Sequence, residues 1–325
     1  MRVLVAGATG VVGRQLVPQL IAAGHQVTAT TRSEGKAAGL RAAGAEAAVV
    51  DGLDAAAVGE AVTRAEPEVV IHQMTALSGD LDLRHFERTF AVTNTLRTAG
   101  LDNLLAAARS AGARRIIAQS YTGFPNIRTG GAVKTEDDPL DPSPPKAQRS
   151  TLEAIKYLEH TVVSSPLEGI ALRYGSLYGP GASDVMVDLL RRRQVPVIGD
   201  GGGIWSFLHV QDAASAAVAA LDHGVPGVYN VADDEPAPVR EWLPALAAAV
   251  GSKPPLRLPA WLGRLVAGEA AVSMMTQIRG SSNAKARREL GWEPDWPSWR
   301  DGFARGLHTT AGPADRADTT GQDER

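Results

Sequence analysis

The sequence predicts an α/β protein built on a doubly wound, mostly parallel sheet. Three observations carry that reading. Short apolar runs alternate with segments of helical period along the first half of the chain. The first run breaks into Gly7, Gly10 and Gly13, at a spacing of three. The 325 residues, 44% hydrophobic and 21% charged, suffice for a large buried core.

The elements follow in order. Val3 to Ala6 reads as a buried strand. From Val12 the pattern turns helical, with Val12, Leu16 and Leu20 on one face. His25 to Arg32 alternates as a second strand, Gly35 to Ala43 is helical, and Glu46 to Val50 is a third strand closed by Asp51-Gly-Leu-Asp54. Ala55 to Ala65 is helical and Val69 to His72 is the fourth strand. A long helix from about Val92 to Ala111 leads to the fifth strand, Arg115 to Ser120. Between Gly123 and Ser150 glycine and proline crowd out regular structure, and a stretch of that length after a strand end reads as a lid. A helix from Ser150 to Val163, a strand from Gly169 to Arg173, a helix starting at Phe207–Asp212 and a last strand from Gly227 to Val231 follow. Beyond Pro236 the chain is mainly helical, and the small polar residues from Thr309 to Arg325 are expected to be disordered.

The glycine turn carries the chemistry. Between a strand and a helix, Gly7 allows a sharp turn, Gly10 lets the backbone approach a diphosphate, and Gly13 lets the helix pack close to the sheet. The free amides of the helix start then meet negative charge. Thr9, Val11 and Val12 complete that cradle. In a doubly wound sheet the ligand lies over the carboxyl ends of the strands, here near Gly7, Arg32, Asp51, Gln73 and Ser120.

Composition narrows the alternatives. A net charge of -3, with no basic block longer than Arg191-Arg192-Arg193, argues against a nucleic-acid or membrane surface and for a small-molecule substrate. There are no cysteines, which excludes disulfides and thiolate chemistry and fits a cytoplasmic protein. Entry into a strand at the first residues leaves no room for a signal peptide. No His-Glu-x-x-His, Gly-x-Ser-x-Gly or phosphate-loop motif is present, and no metal site is expected.

Several ordered motifs resemble the extended short-chain dehydrogenase/reductases, which include the NAD-dependent epimerase/dehydratases. They are Gly-x-x-Gly-x-x-Gly13, Val-Ile-His72, Leu-Arg-Tyr-Gly-Ser-Leu-Tyr-Gly-Pro-Gly181, Phe-Leu-His-Val-Gln-Asp212, Val-Tyr-Asn230 and Leu-Gly-Trp292-Glu-Pro. The likeness covers about residues 1 to 305. It implies a Rossmann dinucleotide-binding domain of residues 1–174 and 206–235. A smaller, mainly helical C-terminal substrate domain would take 175–205 and 236–305, with a disordered tail at 306–325. The resemblance also implies a homodimer through the helices that start near Val92 and Ser150.

For the cofactor, the NAD-binding members carry an acid at the end of the second strand, where this chain has Thr31 followed by Arg32. A guanidinium suits a 2′-phosphate and a carboxylate repels it, so NADP is expected over NAD, with Arg14 as a second positive charge. Asp51 and Leu53 would border the adenine. Gln73, Met74 and Thr75 would line the adenosine side, and Ser120 and Tyr174 would lie toward the nicotinamide.

The family's usual acid, a tyrosine with a lysine four residues later, is missing. Aligning Leu158-Glu159 on that helix puts Thr151 and Ile155 in those places, and a one-residue slip gives Leu152 and Lys156. The remaining candidates are Tyr121 at the end of the fifth strand and its neighbours Ser120 and Thr122. Tyr121 could donate to a substrate oxygen or merely pack beneath the lid, where Lys134 also lies. His72 and His209 match positions that satisfy backbone groups. Trp205 stands where nucleotide-sugar members carry an arginine for the diphosphate, which points to a small apolar or aromatic carbonyl metabolite. Three functions stay open: an atypical NADP-dependent oxidoreductase, a redox-neutral epimerase or isomerase, and a non-catalytic NADP-binding sensor.

Overall fold

A computed structural model describes residues 1–77 and 82–308. Seven strands form one parallel sheet: β1 (Arg2–Ala6), β2 (Gln26–Thr31), β3 (Glu46–Val49), β4 (Val69–His72), β5 (Arg115–Tyr121), β6 (Glu168–Tyr174) and β7 (Gly227–Val231). Their spatial order is β7-β6-β5-β4-β1-β2-β3, with every neighbouring pair parallel. The chain builds outward from β1 to β3 and then restarts on the other side at β4. A crevice therefore opens between β1 and β4 at their carboxyl ends, where such folds take their ligands.

Helices cover both faces, which is why the central strands read as unbroken apolar runs. On one face Val3, Val5 and Ile71 pack against Leu16 and Leu20 of α1 (Gly13–Ala22). On the other, Leu4 and Val70 meet Val58 and Val62 of α3 (Ala55–Ala65), which follows α2 (Glu34–Ala42).

The long helix expected from Val92 to Ala111 is instead two helices joined by a π turn. It starts six residues earlier as α4 (Phe86–Thr95), passes through Leu96–Gly100, and continues as α5 (Leu101–Ser110). Such turns inside helices often mark functional positions, and this one buries Leu96, Arg97 and Gly100. Against it packs α6 (Arg149–Val163), whose Thr151 Oγ1 accepts a hydrogen bond from Asn94 Nδ2 at 3.1 Å.

A second core gathers Val197, Ile198, Trp242, Leu243, Trp299 and Phe303, with contributions from Phe207 and Leu307. It is drawn from α7 (Asp184–Arg191), α9 (Val239–Ala249), α10 (Ala260–Thr276) and the residues after Ser298. Two boundaries differ from expectation. Phe207–His209 is a short strand paired with Ser176–Tyr178, and the helix, α8, begins only at Val210 and ends at Ala219. Packing of Gly306 and Leu307 into this core extends the ordered chain beyond 305, and the rest of the expected tail, 309–325, lies outside the described residues.

The segment expected to be a lid is a brace. Asn126 Nδ2 donates to Arg279 O at 3.1 Å and to Ser281 Oγ at 2.9 Å. Arg128 bridges Asp141 at 2.7 Å and Gln277 at 2.8 Å. Val133–Lys134 pairs as a strand with Gly280–Ser281. These bonds tie the segment between β5 and α6 to the far end of the chain.

Candidate functional site

The glycine turn is fixed sterically. Gly7 has φ +90°, and a Cβ there would lie 2.6 Å from Gln73 O. A Cβ on Gly13 would lie 2.5 Å from the carbonyl of Ala8. Gly10, by contrast, is exposed and has only Gly7 O near, at 3.3 Å from its would-be Cβ. Two of the three glycines thus seat the turn and helix against the sheet, and the middle one leaves open backbone. No side chain caps the start of α1; Arg14 N bonds Gly10 O and Gln15 N bonds Val12 O, and the turn ahead of them presents the positive end of the helix to an anion.

The end of β2 is stitched to this turn. Gly7 N donates to Thr30 Oγ1 at 3.3 Å and Ala8 N to Thr30 O at 3.2 Å. Thr31 is buried, with its hydroxyl 3.3 Å from Thr9 Oγ1 and accepting from Ser33 N at 3.2 Å. Arg32 emerges beside it, exposed, and among the described residues it has no ion-pair partner. Arg14, on the first turn of α1, brings Nη2 to 3.6 Å from the position of a Cβ on Gly181. Asp51 and Leu53 are exposed on the neighbouring loop, where Asp51 Oδ1 accepts from Leu53 N at 3.0 Å. Thr75 is half-buried, while Met74 lies over Gly52, where a Cβ would come within 2.4 Å of its sulfur.

Gln73 and Tyr174 meet in the interior, and Tyr174 does not stand where the sequence placed it. Gln73 is buried and donates from Nε2 to the Tyr174 hydroxyl at 3.1 Å, which donates in turn to Ala213 O at 2.9 Å. Tyr174 therefore belongs to the core between the sheet and α8, with its hydroxyl fully engaged, rather than to the nicotinamide side of the cleft.

At the end of β5 the alternation of side chains sends Tyr121 one way and its neighbours the other. The Ser120 hydroxyl donates to Glu159 Oε1 at 2.7 Å, and Thr122 bonds Asn126 and Ser281. Both hydroxyls are buried and committed to the scaffold, which removes them as proton donors. Tyr121 is half-buried, its hydroxyl 3.2 Å from Ser176 Oγ and its ring 5.4 Å from that of Phe124. Burial raises its pKa above the ordinary 10, against an opposing pull from the Arg97 charge, so it is a weaker acid than a free phenol.

The expected dyad positions hold no proton donor pair. Thr151 and Ile155 are both fully buried. Lys156 lies on the outer face of α6 paired with Glu153 at 2.9 Å, and Lys134 is buried against Asp138 at 3.2 Å. His72 meets Leu96 O at 3.1 Å and His209 meets Gly306 O at 3.1 Å, so both serve the backbone.

Sequence reasoning missed a buried charge cluster at this place. Arg173 Nε and Nη2 donate to Glu159 at 2.7 and 2.6 Å, both side chains being buried. Arg97, 5% exposed, stands beside them, and its charge is felt by both Tyr121 and His72. A signal was present in the sequence. Arg97 lies four residues after the buried Thr93, and Glu159 lies between Ile155 and Val162, each on the apolar stripe of its helix.

Around Tyr121 the walls are apolar. Phe86, Phe124, Ile155, Met274 and Ile278 form one cluster, with Phe90, Tyr121 and Trp205 packed on it. Phe86 stacks on Phe90 at 4.4 Å and meets Phe124 edge-on at 5.6 Å. Trp205 donates from Nε1 to Met274 O at 2.9 Å and also contacts Trp242 at 5.0 Å, so it joins this cluster to the second core.

Fold and site together define a Rossmann-type enzyme that uses a nicotinamide dinucleotide. Residues 3–232 match the model of the NAD dependent epimerase/dehydratase family, and the chain belongs to that family. It is 46% identical over 311 residues to a 3-diazoavenalumate denitrifying reductase of Streptomyces sp, covering 94% of this chain and all of the relative. It is 30% identical over 313 residues to a UDP-glucose 4-epimerase of Mycolicibacterium smegmatis, covering 90% and 94% of the two chains. Among solved structures, a Thermotoga maritima UDP-glucose 4-epimerase with UDP-glucose superposes with TM-score 0.75 at 21% identity, covering 98% and 100%. The human epimerase family protein SDR39U1 with NADPH does so with TM-score 0.71 at 20% identity, covering 94% and 99%. Among the described residues no helix is long and apolar enough to cross a membrane.

Proposed function

We propose that the protein is an NADP-dependent reductase that places a hydride on an aromatic carbon bearing a diazo group, with release of dinitrogen. The observation that carries this reading is the chemistry of the proton-donor positions. No tyrosine in the chain is followed by a lysine four residues later, whether Thr151 and Ile155 or Leu152 and Lys156 take those places, and burial makes the phenol of Tyr121 a weaker acid than usual. Reduction of a carbonyl generates an alkoxide that a positioned acid must protonate. Replacement of N2 by hydride does not. An arenediazonium and a hydride yield an arene and neutral dinitrogen, the C–N bonding pair leaving with the nitrogen, and no proton is required. The 46% identity to a reductase named for denitrifying 3-diazoavenalumate supports the same class of substrate.

The residues present fit the cofactor. The exposed surface at Gly10, clear of any side chain, and the start of α1 suit a diphosphate, and Arg32 at the end of β2, without an ion-pair partner among the described residues, suits a 2′-phosphate. When bound, the reduced nicotinamide supplies the hydride. Phe90 and Tyr121, half-buried and backed by the buried Phe86 and Phe124, offer the apolar aromatic surface against which a ring could lie. By excluding water they also protect a diazonium group from hydrolysis.

The test is NADPH oxidation followed beside dinitrogen release by mass spectrometry. Carboxylated arenediazonium salts are compared with aldehydes, ketones and enones. We expect one N2 per NADPH with the diazo compounds, largely retained in Tyr121→Phe. Turnover confined to carbonyls and lost in Tyr121→Phe would overturn the reading in favour of an oxygen-protonating reductase. Tight NADPH binding with no turnover on any compound would overturn it in favour of a sensor.

A further inference from the structure

We propose that Arg97 is the receptor for an anionic oxygen of the substrate, foremost an aromatic carboxylate, and so sets which end of the substrate enters the cleft. The inference rests on the reductase reading and names its substrate class.

The first ground is unbalanced charge in a buried place. Removing a guanidinium from water is costly unless it is paired. The two other buried arginines among the described residues obey that rule. Arg173 is held by two bonds to Glu159. Arg115 is held by Glu168 at 2.8 Å and by the carbonyls of Ala220 and His223 at 2.7 and 2.8 Å. Arg97 is as deeply buried, yet among the described residues it has no ion-pair partner. Its one hydrogen bond among the described residues runs from Nη1 to Asn94 Oδ1 at 3.5 Å. Glu159, the acid beside it, is already spent on Arg173 and on the Ser120 hydroxyl. The cluster of Arg97, Arg173 and Glu159 therefore carries one uncompensated positive charge. Burial lowers the Arg97 pKa only to about 10, so the charge persists at neutral pH.

The second ground is place. Arg97 sits on the π turn between α4 and α5, where its charge reaches His72 at the end of β4 and Tyr121 at the end of β5. Its field reaches the Tyr121 hydroxyl, and the Tyr121 ring borders the aromatic wall of Phe86, Phe90 and Phe124. A ring against the half-buried Phe90 and Tyr121, with an acidic group on Arg97, would satisfy both halves of the site. The planar guanidinium fits a carboxylate with two parallel bonds. A phenolate offers the same charge through one oxygen, and the test separates the two.

Protein loaded with NADP is titrated calorimetrically with trans-cinnamate, with neutral cinnamamide, and with 4-nitrophenolate above its pKa. We expect cinnamate to bind at least about tenfold more tightly than the amide, a preference that disappears in Arg97→Met and partly returns in Arg97→Lys. Preference for 4-nitrophenolate over cinnamate, with the same Arg97 dependence, would assign the anion to a phenolate and overturn the carboxylate. Equal binding of acid and amide, failure of both to bind, or an unchanged preference in Arg97→Met would overturn the receptor altogether. Thermal melting of the apoprotein guards against a purely structural role. Arg97→Met removes an unpaired buried charge and should melt at or above the parent, whereas a marked drop would identify Arg97 as scaffold. None of these ligands is reduced, so Arg97-dependent cinnamate binding without diazo turnover would defeat the reductase reading alone.

Discussion

Substitution of alanine for Gly13 is the sharpest structural perturbation of the cofactor cradle. The added methyl would lie 2.5 Å from both the carbonyl carbon and oxygen of Ala8, and 2.6 Å from Gly7 O. Ordinary contact begins near 3.4 Å, so the overlap is about 0.9 Å in an interior packed as densely as a crystal. All three neighbours are backbone, which cannot swing aside as a side chain can. Helix α1 must therefore move outward by roughly the overlap. Overpacking of this kind costs about 1–3 kcal/mol, and at about 2–4 °C per kcal/mol the melting temperature should fall by a few degrees or more. The larger effect is on binding. Displacing the turn would loosen the amides proposed to meet the diphosphate, and each charge-assisted hydrogen bond lost is worth about 1.5–3 kcal/mol. One such bond already weakens NADPH by roughly ten- to over a hundredfold. Calorimetric titration with NADPH, well below the melting temperature, measures this directly. Gly39→Ala is the control, because a Cβ there meets nothing within 4 Å and alanine should stabilise α2 slightly. Wild-type NADPH affinity in folded Gly13→Ala would refute the placement of the diphosphate on this turn.

Three further outcomes are expected. Arg32→Ala should weaken NADPH by at least about tenfold and leave NADH nearly unchanged, as a lost two-pronged contact to one phosphate requires; equal losses measured for the two coenzymes would contradict the assignment. Glu159→Gln strands Arg173 in the core and should cost about 3–5 kcal/mol in urea unfolding, with much of the loss recovered by adding Arg173→Met. Asp212 is pushed up to about 7 by burial, although it accepts the amides of Asp295 and Trp296, whereas its ordinary value is 3.8. Folding therefore takes up a proton at this group, and its stabilisation is full below about 3.8 and lost as pH rises through about 7. The stability of the protein relative to Asp212→Asn should fall across that window, and a rising difference would show the sign to be wrong.

The sheet was legible because its strands are buried on both faces and therefore announce themselves as apolar runs. Val69–His72 and Ala55–Ala65 were read with their observed limits. The π turn was not legible. Its sequence, Leu96 to Gly100, keeps a helical period, and only the packing of Arg97 inward reveals the extra residue. The brace between β5 and α6 was misread as a lid because its partners, Arg279 to Ser281, lie some 150 residues away and pair through backbone. At the site, hydrogen bonding decided what position could not. Ser120, Thr122 and Tyr174 stand at the right strand ends, yet each spends its hydroxyl on the scaffold. Arg97 and Glu159 carried a readable mark, charge on an apolar stripe, but which of the two lacked a partner depended on three-dimensional neighbours.

The most direct measurement of the central claim is the fate of a label during one turnover. Cofactor deuterated at C4 of the nicotinamide is mixed with a 15N-labelled arenediazonium carboxylate in ordinary water. The account predicts deuterium on the ring carbon that carried nitrogen, with one labelled dinitrogen for each coenzyme oxidised. Deuterium absent from that carbon, or coenzyme oxidised with the nitrogen still attached, would contradict it.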